Sequence, residues 1–148
     1  MYMNQQTLSE IRDRVEKLYH LAEIPPYYRP KVSNTAYDND WTLVCTDDNY
    51  QLIMRQNSQD KVFTSSEELD ECLFVMFKHI VGVMALEHAE KNPSETELRW
   101  EIRCRVLQDT LTKLNPEWGI RNKRSTEVFM GEHPLHQDAR ERDERKKS

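Results

Sequence analysis

An α+β fold is predicted by three features of the sequence: helical spacing of apolar residues at both ends of the chain, a period of two between Val32 and Thr64, and capping residues or prolines bounding each helical run. The expected order is an N-terminal helix, a small antiparallel sheet of three or four strands, then two long helices and a shorter C-terminal one packed on one face. With 148 residues the chain is long enough to bury one core, so residues 1–137 are expected to form a single domain, with 138–148 as a charged flexible tail.

Thr7-Leu8-Ser9-Glu10 has the spacing of a capping box, and Leu8, Ile11, Val15, Leu18 and Ala22 fall on one helical stripe. Pro25-Pro26 cannot continue that helix, and the segment from Pro25 to Pro30 should be extended and stiff. Trp41, Leu43 and Cys45 alternate with Thr42, Val44 and Thr46; after Asp47-Asp48-Asn49, Tyr50, Leu52 and Met54 alternate with Gln51, Ile53 and Arg55. This is a hairpin pattern, and weaker strands at about Val32 to Tyr37 and Lys61 to Thr64 would flank it.

Ser65-Ser66-Glu67-Glu68 reads as a second capping box, opening a helix from Ser66 to about Lys91. Its middle is apolar on nearly every face, the mark of a buried core helix, and is too short to span a bilayer. A third box lies in Asn92-Pro93-Ser94-Glu95-Thr96-Glu97, before a stripe of Trp100, Cys104, Leu107, Leu111 and Leu114. Asn115 should end that helix and cap the next, with Pro116 tolerated at its first position, so a last helix should run from Pro116 towards Met130. Nine of the last eleven residues are charged, with no side chain to anchor them.

Composition excludes several functions. Mean hydropathy is −0.87 and no apolar run approaches a membrane span. Met1 to Gln6 is polar and carries no secretory pattern, so a cytoplasmic protein is expected. Cys45, Cys72 and Cys104 are odd in number and widely spaced, which points to reduced thiols in a core. The three glycines, Gly82, Gly119 and Gly131, build no phosphate-cradling loop. His133 and His136, with Glu132 and Asp138, could hold a divalent metal, but Pro134 interrupts the helix that would align them. No nucleophile elbow is present, and no carboxylate pair has an environment suited to general acid work. No catalytic residue, metal or cofactor is therefore expected.

Charge is unevenly spread. From Asp38 to Glu71 stand nine acids (Asp38, Asp40, Asp47, Asp48, Asp60, Glu67, Glu68, Asp70 and Glu71) against Arg55 and Lys61, a local net of −7. From Arg99 to Arg124 the balance is +4, and the whole chain carries −5. The overall sign disfavours nucleic acid as ligand and favours a cationic protein partner. Acids in a first helical turn and in Asp-rich turns also have ordinary structural uses. A partner surface would combine Asp38, Asp40, Asp47, Asp48, Glu67, Glu68 and Glu71 with Tyr27, Tyr28 and Tyr50, and Tyr37 lies beside it.

The C-terminal half carries Met84-Ala85-Leu86-Glu87, then Leu111-Thr112-Lys113-Leu114-Asn115-Pro116-Glu117-Trp118, Arg121, and Glu132-His133-Pro134-Leu135. These runs resemble the Immunity protein 63 family of bacterial polymorphic toxin systems over about residues 66–138, with Leu135 where the family pattern has Phe. The resemblance implies a non-enzymatic inhibitor, monomeric before binding, that occludes the C-terminal domain of a cognate secreted toxin, as in contact-dependent growth inhibition. A nuclease toxin suits the acidic surface, because carboxylates can take the place of phosphates in a basic cleft. On the residues themselves, Asn115, Pro116, Trp118 and Arg121 have structural roles: a cap, a helix start, a packed ring and an ion pair. The alternative function is an acidic secretion chaperone or adaptor for an effector.

Overall fold

The computed structural model describes residues 7–132. It is an α+β fold of α1 (Leu8–Leu21), a 3₁₀ turn (Pro26–Tyr28), β1 (Lys31–Ser33), β2 (Trp41–Cys45), β3 (Tyr50–Gln56), β4 (Gln59–Ser66), α2 (Leu69–Lys91), α3 (Arg99–Leu114) and α4 (Pro116–Glu132). The chain divides into two compact units, and the boundary falls inside α2 between Phe77 and Lys78.

In the first unit Thr7 caps α1 as its sequence predicts, its hydroxyl accepting from Glu10 N–H at 3.2 Å. The helix buries Ile11, Val15 and Tyr19, so Tyr19 replaces Leu18 at the centre of the stripe. It stops before the prolines are reached. Glu23 takes a left-handed conformation at φ 53°, its N–H bonds the His20 carbonyl, and Ile24 N–H bonds the Tyr19 carbonyl. That pair of bonds is a Schellman stop, with Glu23 at the position where glycine is usual. The segment expected to be extended instead closes a 3₁₀ turn, in which Tyr28 N–H donates to Pro25 O and Arg29 N–H to Pro26 O. Pro26 permits it because a proline at the first position of a turn has no N–H bond to lose.

The sheet has the order β1-β2-β3-β4 and is mixed: β2–β3 and β3–β4 are antiparallel, while β1 runs parallel to β2 with Val32 opposite Leu43. Parallel neighbours normally need a long crossover. Here β1 is three residues long, about 7 Å of strand, so residues 34–40 suffice to bring the chain back. Asn39, at φ 57°, and Thr42 Oγ1, which accepts from Tyr37 N–H at 3.1 Å, fix that return. Asn57 and Ser58 both have positive φ and join β3 to β4 by a two-residue turn of the type I′ kind. Leu43, Leu52 and Tyr50 on one side of the sheet and Thr42, Val44 and Ile53 on the other are buried.

Ser65 and Ser66 remain in the β4 ladder, opposite Gln51 and Tyr50, so the second capping box does not form there. Ser66 Oγ accepts from Glu68 N–H, and the Glu68 carbonyl receives Cys72 N–H as α2 begins. In the first unit α2 buries Cys72, Leu73, Met76 and Phe77, whose ring lies 5.5 Å from that of Tyr19.

The second unit holds the rest of α2 and the hairpin of α3 and α4. Ser94 Oγ accepts from Thr96 and Glu97 N–H in a bend, and Glu97 is committed to Arg105 through two bonds of 3.0 and 3.1 Å. The third box is thereby diverted, and α3 opens later, at Arg99. Asn115 alone links α3 to α4: its side chain accepts from Glu117 N–H at 2.9 Å, Pro116 starts the helix, and Trp118 is 2% exposed. Gln108 donates to the Gly119 carbonyl and accepts from the buried Asn122 amide, both at 2.8 Å. The helices approach so closely there that a Cβ on Gly119 would overlap Thr112 Oγ1. At 17 residues α4 is as long as α3, not shorter.

Candidate functional site

Sheet register decides which acids meet. Cys45 faces Tyr50, and Tyr50 faces Ser66, so the β2–β3 turn and the β4–α2 junction share one end of the sheet. Asn49 ties them: its Nδ2 donates to Ser65 Oγ at 2.9 Å, while its carbonyl accepts from Thr46 N–H. Asp47, Asp48, Glu67 and Glu68 are thus gathered and exposed. Asp70 is already paired with Arg14, and Glu71 is half-buried.

The remaining acids lie at the opposite end, roughly 15 Å away along β2. Asp38 makes an isolated backbone β-bridge with Arg55, and its charge acts on the Arg55 guanidinium. Asp40 accepts from Trp41 N–H at 2.9 Å and stands 3.3 Å from Lys31 Nζ. Asp60 receives two bonds from Arg55, at 2.6 and 3.1 Å, and these hold its carboxyl below the usual carboxylate range. Arg55 also donates to the Ala36 carbonyl. Asp38 and Asp40 are therefore not brought to the acidic end, since their charges lie beside Arg55 and Lys31.

The tyrosines separate in the same way. Tyr50 is 8% exposed, so its ring belongs to the core and offers no protruding anchor. Tyr27 is 77% exposed, with Tyr28 half-buried against it at 4.5 Å between ring centres. Both precede β1, whose first residue pairs with Thr42, at the end away from Asp47.

Beside the acidic end lies a cavity of about 260 Å³, lined by Thr7, Leu8, Ile11, Asn34, Cys45, Thr46, Asp47 and Tyr50. Leu8, Ile11 and the Tyr50 ring supply apolar wall; Asp47 supplies a negative charge, and no cation lines it. Burial pushes the Cys45 thiol up to about 11, although Arg12 pulls it down, so this wall is neutral near pH 7. The N-terminus of α1 contributes roughly half a positive charge at its first turn, less than the four carboxylates carry. Such a cavity suits a long side chain with an apolar stem and a cationic head. No sequence pattern singles out Thr7, Leu8, Ile11 or Asn34 for this role, because only the fold brings α1 against the β2–β3 turn.

Trp118 and Asn115 have the structural roles their sequence implies. Arg121 is exposed and stands near Lys78, whose ammonium is held below its usual range first by burial and then by that neighbouring charge. His133, His136 and the tail from Asp138 lie outside the described residues. Among the described residues no three His, Cys, Asp or Glu side chains are grouped to hold a metal ion, and no helix is long and apolar enough to cross a membrane. Comparison with protein-family models, curated proteins and solved structures finds no match to the chain.

Proposed function

We propose that this chain is an immunity protein of the Immunity protein 63 kind, acting in the cytoplasm without catalysis, which binds a cognate toxin domain and covers its active or substrate-binding face. The observation that carries this reading is the meeting of Asp47, Asp48, Glu67 and Glu68 at one end of the sheet, beside a cavity shaped for a basic side chain. A nuclease toxin presents cations where it grips phosphate, and four exposed carboxylates complement them. Charge of this kind raises association rates above the neutral range of about 10⁵ to 10⁶ M⁻¹s⁻¹. Nanomolar affinity requires about 12 kcal/mol, most of it from a few buried anchors, and a toxin Lys or Arg inserted beside Asp47 is one such anchor.

The test is a combined Asp48→Lys, Glu67→Lys and Glu68→Lys variant, assayed with the toxin domain proposed as its partner. Association measured at low salt should slow about tenfold or more, with protection of toxin-expressing cells lost and the thermal midpoint nearly unchanged. Unaltered association kinetics would contradict the assignment of this surface.

A further inference from the structure

We propose that a groove between α1 and β1 is a second binding site, independent of the immunity reading, and that it takes the phosphate monoester of a small molecule. The groove encloses about 410 Å³, within the range of roughly 300–1,000 Å³ usual for small-molecule sites, and is lined by Arg12, Glu16, Tyr19, Arg29, Pro30, Lys31, Val32 and Tyr37. Three of those side chains are cations and one is an acid, an inverted balance in a chain of net charge −5.

The two arginines are held by parts of the side chain that a ligand does not need. Arg12 donates through Nε to the Val32 carbonyl at 2.9 Å, and Arg29 through Nε to the Ile24 carbonyl at 2.7 Å. The Arg29 guanidinium lies over the Tyr19 ring at 5.5 Å, and Lys31 Nζ lies over the Tyr37 ring at 4.7 Å. Anchoring at Nε fixes each guanidinium while leaving its two Nη groups as donors, so little side-chain entropy is lost when an anion arrives. Tyr19 is locked by donating its hydroxyl to the Pro30 carbonyl at 2.7 Å, which makes it a rigid floor.

The local acids leave a surplus. Glu16 is 3.9 Å from Arg29 Nη1, too long for a strong hydrogen bond, and Asp40 is 3.3 Å from Lys31. Arg12 has neither carboxylate assigned to it. Donors arriving from one helix, one loop and one strand suit a tetrahedral anion with several oxygens, whereas a carboxylate offers one planar edge that a single guanidinium satisfies. The small volume and the net negative charge of the chain oppose a polynucleotide.

Titrating the full chain with phenyl phosphate, inorganic phosphate and acetate at low salt, with backbone amide shifts as readout, tests this. Both phosphates should bind saturably with shifts centred on residues 12–37, and acetate about tenfold more weakly. Arg12→Gln and Lys31→Gln, read separately so that one folding defect cannot decide the result, should each weaken phenyl phosphate binding about tenfold with the thermal midpoint retained. Failure of phenyl phosphate to saturate at millimolar concentration would overturn the proposal. So would equal binding of acetate, shifts confined elsewhere, or both variants binding as the parent chain does.

Discussion

Ser58 occupies the left-handed region at φ 61° in the two-residue turn between β3 and β4, where glycine carries no steric cost. Ser58→Gly should raise stability by about 0.5–1 kcal/mol in chemical denaturation; a loss would show that the serine makes compensating contacts. At Gly119 a side chain would be costly, because an added Cβ meets Thr112, whose hydroxyl is tied to the Gln108 carbonyl at 2.8 Å and cannot move freely. Gly119→Ala should cost about 1–3 kcal/mol, and Thr112→Ala should recover part of it in the double variant. Burial raises the Cys45 thiol to about 11 and the Cys72 thiol to about 12 from an ordinary value of 9.0. Since the unfolded chain releases these protons first, this stability is complete below pH 9 and is lost as pH climbs from 9 towards 11–12. Denaturation midpoints that stay level across that window would contradict the burial of the two thiols.

Among the elements, those written in local alternation were legible and those depending on distant pairing were not. The β2–β3 hairpin follows the sequence because Trp41–Cys45 and Tyr50–Met54 alternate around an Asp-Asp-Asn turn. The parallel placement of β1 could not be read, since it depends on Val32 meeting Leu43 across a loop. The capping motifs at Ser66 and Ser94 misled for one reason: a hydroxyl followed by acids caps a bend as readily as a helix, and ladder pairing or an Arg105 ion pair decides which forms. The end of α1 lies where the stripe closes at Ala22, but the device that stops it could not be read, because the Schellman stop uses Glu23 rather than glycine. Within the candidate site, Asp47, Asp48, Glu67 and Glu68 were legible as acids, whereas their separation from Asp38 and Asp40 and the burial of Tyr50 come from register. Within α2, Gly82 has open space at its Cβ position, so Gly82→Ala should stabilise the protein by about 0.5–1 kcal/mol through helix propensity. An unchanged or lower denaturation midpoint would contradict that.

At the scale of the whole molecule, charge is arranged rather than merely abundant. Asp60 and Glu97 are held below their ordinary values of 3.8 and 4.5 chiefly by hydrogen bonds from Arg55 and Arg105. Their contribution is present above those values and disappears as pH falls below them; being exposed pairs they should also weaken with salt. At the other sheet end Asp47, Asp48, Glu67 and Glu68 are exposed to solvent, and the proposed partner surface rests on them. Hydrogen–deuterium exchange on the chain, alone and mixed with the toxin domain proposed as its partner, is the decisive measurement. New protection concentrated at residues 46–49 and 65–71 is the predicted result; protection confined to the Arg-bearing segment 99–124, or none anywhere, would contradict it.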